Sequence, residues 1–578
     1  MGLQIRLLGR PAILNHDSAP RAVRGHQAWA LLARILLSKR ELGRRQLASE
    51  LFPDTVDPLG SVRWCLASLR AALGSADALG GDPIRSNLPP GTEIDVMRLR
   101  TGELDPEATG TLLDGVDPRC SPEFATWLLV ERERIAGEID ASIRKSAMHA
   151  MLVGSHERAI RLAELGVRRC PFEESAHVLL VKSLVLAGSH SVALDHVEAT
   201  ERAFHNELGV KPSPALRSAA RRTVCAPPPG LSSQAVARSQ LDAGLAALAA
   251  GAVDAGIDCL RRALANAEQC GDNHLHAQAL LELGAALVHA IRGHDDEGAI
   301  LLRQSVEQSK RCSDAKLAAA AYRELGYVDA LAGRRPDAAA HLAEALLVAA
   351  DPDSLAGIHA VIGFNLVDWG NANEGLNHYS LSLDYARQAR NRRREAWSLG
   401  IGSWGQLAAG RADVAGRWLT DCLAIVGDLR WLAFRPWPVA LLAETRLGLN
   451  EEPATLRADL QEAFALSCQL ADPCWEGVSA RALALTYAAT GDFASASHWI
   501  ALARQKCVRE PDTYIGLLAA ILRNQVEVCL NSGNAAQAAS IARELLAVAA
   551  RAHMDDHVEW AVQIIGTRLG GSPGVPQL

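Results

Sequence analysis

A chain of 578 residues is too long for one core, and about 100–200 residues per domain gives roughly three to five units. Its 49% apolar and 22% charged residues are ordinary for a soluble globular protein, and only 4% aromatics among abundant Ala and Leu favours helix. The net charge of −7 argues against nonspecific polyanion binding by the whole chain, but residues 1–100 carry +5 and the remainder −12, so only the first domain has a basic excess.

The opening, MGLQIRLLGRP, has neither the long apolar core nor the small-residue cleavage site of a secretory signal. No apolar run approaches the ~18 residues of a membrane span. The twelve cysteines form no CxxC pair and no zinc spacing, which fits reduced thiols in a cytoplasmic protein. In chain order, Leu3–Leu7 alternates and Pro11–Leu14 follows a Gly9 turn, so the first 23 residues read as strands. Ala28, Leu31, Leu32, Ile35 and Leu36 then form a helical stripe. A second short helix covers about Arg44–Phe52, stopped by Pro53. A third runs from about Pro58 to Leu73, with Pro58 in its first turn, Gly74 as its cap, and Val62, Leu66, Leu69 and Leu73 inward. A ribbon from Ile84 to Val96, turning through Pro89-Pro90-Gly91, completes a winged helix over residues 1–100.

In a winged helix the third helix enters the major groove and the second crosses the backbone. The outward face of the third helix includes Gly60, Ser61, Arg63, Trp64, Ala67, Ser68 and Ala71. Arg63, Trp64, Ser61, Ser68 and Arg70 are therefore candidates for DNA contact, with Arg44 and Arg45 at the start of the second helix and Arg85 on the ribbon placed for phosphates. The same residues also fit a solvated or packed surface, and the face is weakly basic, so dimerisation or a partner is expected to assist.

Residues 104–222 read as helical, opening on a long amphipathic stretch from Glu123 to about Leu152, and 223–236 reads as a Pro-rich linker. From 237 to 568 a pair recurs: a turn Gly, then a small residue five positions on. It occurs at Gly251/Gly256, Gly293/Gly298, Gly333/Ala338, Gly370/Gly375, Gly410/Ala415, Gly491/Ala496 and Gly533/Ala538, spaced by 42, 40, 37, 40, 81 and 42, with a degenerate unit near Gly448. Gly154/Ala159 and Gly188/Ala193 repeat it earlier. Gly permits the tight turn and the small residue lets two helices approach. A large side chain usually follows four positions later, as at Leu260, Leu302, Leu342, Tyr379, Leu419 and Ile500. Helix pairs at this period stack into a solenoid. Five tryptophans at 397, 404, 418, 431 and 437, near Arg392–Arg394, Arg430 and Arg435, fit either a ligand or peptide groove or the packing of long helices. Residues 569–578 read as a flexible tail.

The expected fold class is mainly α: a small α/β winged-helix domain followed by an all-α, tetratricopeptide-like helical-repeat solenoid. No P-loop, HExxH or GxSxG motif occurs, so no enzyme activity, cofactor or metal site is expected.

Taken together these residues resemble the Streptomyces antibiotic regulatory protein (SARP) family, in which an OmpR-like winged helix, an output-domain type shared with phosphorelays, is joined to a bacterial transcriptional activator domain. The resemblance rests on Leu7-Leu8-Gly9, Leu51-Phe52-Pro53 and Val62–Gly74 in the first domain. In the second it rests on Leu113-Asp114-Gly115, Phe124, Trp127, Glu131-Arg132, Cys170–Glu174 and Glu207–Pro214. It implies binding to double-stranded promoter DNA at direct repeats, contact with RNA polymerase and activation of nearby genes. A protein, peptide or small-molecule ligand on the solenoid, a homodimer, and nucleoid association when DNA-bound are further expectations. The competing expectation is a repeat scaffold that binds proteins and has little or no DNA affinity.

Overall fold

The computed structural model describes residues 3–15, 19–38, 40–117, 120–220, 234–249 and 252–568. The described chain is mainly helical, with one small sheet near its start. It divides into two compact units, Met1–Ser146 with Val558–Leu578, and Ala147–His557.

The first unit begins with β1 (Gln4–Arg6), β2 (Ala12–Leu14) and β3 (Pro20–Arg21), an antiparallel meander in which Ile5 faces Ile13 in register, both buried. Three helices follow: α1 (His26–Leu37), α2 (Arg44–Leu51) and α3 (Pro58–Leu73). The stripe on α1 packs inward through Ala28, Leu31, Leu32 and Leu36, with Ile35 half-buried. Beyond α3 the chain departs from the expected ribbon. Ile84 bridges Leu42 and Arg85 bridges Gly80, and after Pro89-Pro90-Gly91 the strand β4 (Glu93–Ile94) joins β1 in parallel, giving the order β3-β2-β1-β4. A helix the sequence reading missed, α4 (Asp95–Thr101), comes next. The reason is chemical. Two prolines lack donors for a ladder, and the Asp95 carboxylate accepts the N–H groups of Leu7 and Leu8 at 2.8 Å each, drawing this segment onto the sheet.

The backbone is continuous in its hydrogen bonding across the boundary expected near 100–104. Gly9 donates to Thr111, Leu113 to Leu7, and Asp114 to Gly9, so residues 111–114 extend the N-terminal sheet region. The long helix α5 (Pro122–Leu152) then carries the chain forward.

The second unit continues with α6 (His156–Arg169), α7 (Glu174–Leu186), α8 (His190–Leu208) and the short α9 (Pro214–Ala219). The expected linker lies mostly outside the described residues, as does the expected tail. The repeat array starts at Gln234. Its first four hairpins are α10/α11 (Gln234–Ala249, Val253–Cys270), α12/α13 (Asn273–His289, Asp295–Arg311), α14/α15 (Ala315–Leu331, Arg335–Val348) and α16/α17 (Pro352–Asp368, Ala372–Gln388). The next four are α18/α19 (Arg392–Ala408, Ala412–Asp428), α20/α21 (Pro436–Gly448, Pro453–Leu470), α22/α23 (Pro473–Ala489, Phe493–Cys507) and α24/α25 (Ile515–Asn531, Ala535–Arg551). A last helix, α26 (Asp555–Arg568), follows, and from Val558 onward it belongs to the first unit.

The turn glycines expected from the repeat stand at the hairpins with positive φ, from Gly154 through Gly533, while Gly251 lies outside the described residues. In the degenerate unit the left-handed position is Asn450, two residues past Gly448. The small residues do bring helices together, and the first helix of several pairs supplies a facing glycine. A Cβ built on Gly363 would lie 2.9 Å from the carbonyl oxygen of Gly375, and one on Gly375 would lie 2.8 Å from that of Gly363. Gly284 and Gly298 stand in the same relation. The large residues that follow, Leu260 to Ile500, are buried.

The inner face of the array is filled by its own aromatics. Tyr327 contacts Phe364 and Trp397, Phe364 contacts Tyr514, and Trp437 contacts Trp404, Trp475 and Tyr514. Trp437 is buried and donates Nε1–H to the Gly400 carbonyl at 3.0 Å. Of the five tryptophans expected to cluster, Trp437 is buried, and Trp397, Trp404, Trp418 and Trp431 are half-buried. Three of the nearby cations are engaged: Arg392 with Asp428, Arg394 with Asp353, and Arg393 over the Trp431 ring. At the centre the Asp368 carboxylate, fully buried, accepts from Arg335 Nη2 at 3.3 Å and from the Tyr514 hydroxyl at 3.0 Å.

Two measurements follow from this packing. Replacing Gly363 with Ala should destabilise the repeat unit by about 1–3 kcal/mol through overpacking, outweighing the ~1 kcal/mol that Ala gains over Gly inside a helix. Urea titration followed by circular dichroism reads the change. Two histidine pairs, His177–His196 at 3.0 Å and His359–His378 at 2.8 Å, of which only His177 is buried and the others half-buried, have all four pKa values lowered chiefly by desolvation. These rings are neutral in the folded chain. Below the ordinary value of 6.5 the unfolded chain takes up protons that the folded chain does not, so their contribution to stability falls as pH drops from 7 towards 5. Melting temperature against pH should show this fall, with a shallower slope in a His359→Gln/His378→Gln variant.

Candidate nucleic-acid interface

The third helix of the first unit is set by local chemistry at both ends. The Asp57 side chain caps α3 by accepting from Gly60 N–H at 2.7 Å, Pro58 occupies the first turn, and Gly74 closes the helix in the left-handed conformation. Val62, Cys65, Leu66, Leu69 and Leu73 face the core. Burial pushes the Cys65 thiol up to about 11, so it stays protonated and inert. The opposite stripe faces outward. Arg63, Trp64, Ala67 and Ala71 are exposed, Trp64 by 56%, and Ser61 and Ser68 are half-buried.

Among the expected DNA-contacting residues, the structure separates outward groups from those engaged within the fold. Arg63 is exposed but leans on its own cap, with Nη2 at 3.5 Å from Asp57 Oδ2. Ser61 donates Oγ–H to the Asp57 carbonyl at 3.0 Å. Arg70 points sideways and donates to the carbonyls of Ala78 and Leu79, both at 2.9 Å, which fastens the loop after α3 to the helix. Arg44 serves the same loop, with Nε donating to Gly81 O at 3.0 Å and the backbone N–H to Asp82 at 2.9 Å. Arg85 sits beside Glu41 at 3.4 Å in the open. Arg45 is exposed, with no side-chain partner among the described residues.

Leu59 and Val56, next to the amino end of α3, are also exposed, and with Trp64 they make its outer surface apolar as well as cationic. The sequence carried the signal for this, since Val56 lies in a turn and Leu59 falls off the inward spacing of Val62, Leu66 and Leu69.

The segments that prompted the family resemblance prove to be joints. Arg132 donates to the carbonyls of Leu112 and Leu113, holding the Leu113-Asp114-Gly115 turn, in which Leu113 and Gly115 have positive φ. Trp127 lies under the Arg34 guanidinium, 4.8 Å from ring centre to Cζ. The Glu174 carboxylate, at the end of Cys170–Glu174, accepts from the backbone and hydroxyl of Ser213, which itself caps α9. Two distant motifs are thereby one contact.

Loss of Arg70 should leave two loop carbonyls without their donor. Arg70→Ala is expected to cost the first unit about 1–3 kcal/mol in urea unfolding. Arg45→Ala, at an exposed position, should leave stability within about 0.5 kcal/mol.

Residues 109–223 match the family model described as "Bacterial transcriptional activator domain". No curated protein matches the chain. Among solved structures, EmbR of Mycobacterium tuberculosis, in complex with a low-affinity phosphopeptide, is 19% identical over 42% of this chain and 71% of its own, with a TM-score of 0.30. The apo quorum sensor NprR of B. thuringiensis is 13% identical over 63% of this chain and 98% of its own, with a TM-score of 0.38. Aspartyl phosphate phosphatase F of Bacillus subtilis is 10% identical over 76% and 97%, at 0.36. Residues 109–223 thus match an activator-domain module, one of the two domains on which the resemblance to the Streptomyces antibiotic regulatory proteins rested, and helical hairpins follow it from Gln234.

Proposed function

We propose that this chain is a non-enzymatic, DNA-binding transcription activator of the Streptomyces antibiotic regulatory type. Its winged helix reads promoter direct repeats through the outer face of α3, its activator domain contacts RNA polymerase, and its repeats receive a protein or peptide signal. The observation that carries the reading is the activator-domain match at residues 109–223, which begins where the chain is hydrogen-bonded into the N-terminal sheet. Arg63, Trp64 and Ser68 would meet base edges, with Arg45 and Arg85 on phosphates. Such a role belongs in the cytoplasm, at the nucleoid when DNA-bound, and among the described residues no helix is long and apolar enough to cross a membrane.

A second reading, a protein-binding scaffold with weak DNA affinity, is favoured by one feature: Asp57 beside Arg63, with Val56, Leu59 and Trp64 exposed around it. One cleft, bounded by Leu423, Arg435, Val439 and Leu456, holds about 240 Å³, below the ~300–1,000 Å³ usual for ligand pockets.

Selection of bound duplexes from random or genomic DNA by the full-length chain at moderate salt tests the proposal, and a recovered repeated motif is the expected outcome. Recovery of none would leave the scaffold reading. On the recovered site, affinity should fall steeply with salt, and Arg63→Ala should cost roughly 1–3 kcal/mol at one base position. Asp57→Asn keeps a capping oxygen but removes the charge beside Arg63, so it should tighten binding, read by fluorescence anisotropy.

A further inference from the structure

Residues 509–514, between α23 and α24, touch parts of the chain that are remote in sequence, which a stack of repeats contacting only its neighbours does not require. Tyr514 reaches Asp368 at the end of α16 through its hydroxyl at 3.0 Å. Asp512 Oδ2 accepts the backbone N–H of Asp295 at 3.1 Å, a capping contact at the amino end of α13. Glu510 and Pro511 lie against the Gly293 turn just before α13, where a built Cβ would be 3.6 Å from each. The same built Cβ would lie 2.6 Å from the Cβ of Ala215 on α9, and Glu510 is also in hydrogen-bonding reach of Ser213, the cap of α9.

The activator domain meets α13 along a second line. Lys182 of α7 is 3.8 Å from Glu297, which also pairs with Arg261, and Arg303 contacts the Met148 sulfur of α5 at 3.7 Å. Helix α13 is thus held at its amino end by a loop more than 200 residues away and along its length by two activator-domain helices. Gly293 leaves no room for a side chain at the meeting point.

From this geometry we infer that residues 509–514 form an intramolecular clasp that joins the activator domain's α7–α9 to the repeat array through α13, so that a change in either is felt by the other. The clasp holds Ser213 and the start of α13 in one arrangement. A ligand or partner that shifts α22–α24 shifts the Asp512 cap, and with it the surface on which α7 and α9 rest. The coupling stands whether or not the first unit binds DNA, because it involves only residues 147–557.

Hydrogen exchange on the full-length chain, read by mass spectrometry, tests the coupling from both ends. Asp512→Ala should raise exchange about tenfold or more in the first turn of α13 and also in α7–α9. Asp512→Asn, which retains an acceptor oxygen, should restore most of the protection. Reciprocally, Ser213→Ala should raise exchange in residues 509–516, as linkage requires. Changes confined to the 295–300 and 508–516 stretches in the first variant, or to α8 and α9 in the reciprocal one, would overturn the clasp. If Asp512→Ala does not fold, the Ser213→Ala arm decides alone.

Discussion

The second unit depends on closing a repeat array over a buried charge. Asp368 lies out of water, and burial raises its pKa despite the neighbouring Arg335 guanidinium, Tyr514 hydroxyl and Trp404. Such a group is costly unless its partners are held in place. One partner comes from the adjoining hairpin and another from a position 146 residues later, so the carboxylate is satisfied only when the array has curled back on itself. Asn365 donates to the Arg335 carbonyl and fixes the cation's backbone. Around this polar centre Tyr327, Phe364, Trp437, Trp475 and Tyr514 make a chain of ring contacts.

A comparable logic governs the first unit at smaller scale. Asp95 ties the segment after α3 to two backbone donors just past the first strand, Arg132 ties the next turn, and Arg70 and Arg44 fasten the intervening loop. Cations that a basic count assigns to nucleic acid are thereby fixing carbonyls. What remains outward on α3 is a narrow stripe of one arginine, one tryptophan, serine hydroxyls and small apolar residues. The proposed recognition by such a face would lean on shape and apolar contact as much as on charge, which fits the weak basic excess of the domain.

Much of this was legible in the chain. Periodicity placed α1, α2 and α3 with their inward residues, because burial of one helical face is a local demand that each residue meets by its spacing. Caps at Asp57 and Gly74 fixed the ends of α3. The Gly and small-residue pairs gave the hairpins, since a positive φ and a close helix approach each restrict which residues fit. The ribbon after Ile84 failed because its competitor is a long-range contact, the Asp95 carboxylate reaching Leu7 and Leu8, which leaves no mark on local pattern. The arginines could not be sorted because their partners are nearby backbone carbonyls and a cap carboxylate, whose positions residue type does not reveal. Arg63 and Arg70 look alike in sequence, and only the position of the Ala78 and Leu79 carbonyls tells them apart.

The sequence by itself determined a helical chain with a small mixed domain in front, the identity of the activator segment and the period of the repeats, all properties carried by residue type at short spacing. Tertiary structure alone decided which charges face outward, whether the tryptophans line a groove or fill a core, and that residues 509–514 meet α13, α16 and α9. The last outcome hinges on contacts between groups 146 and 217 positions apart, whose distances are set by the summed geometry of every intervening turn.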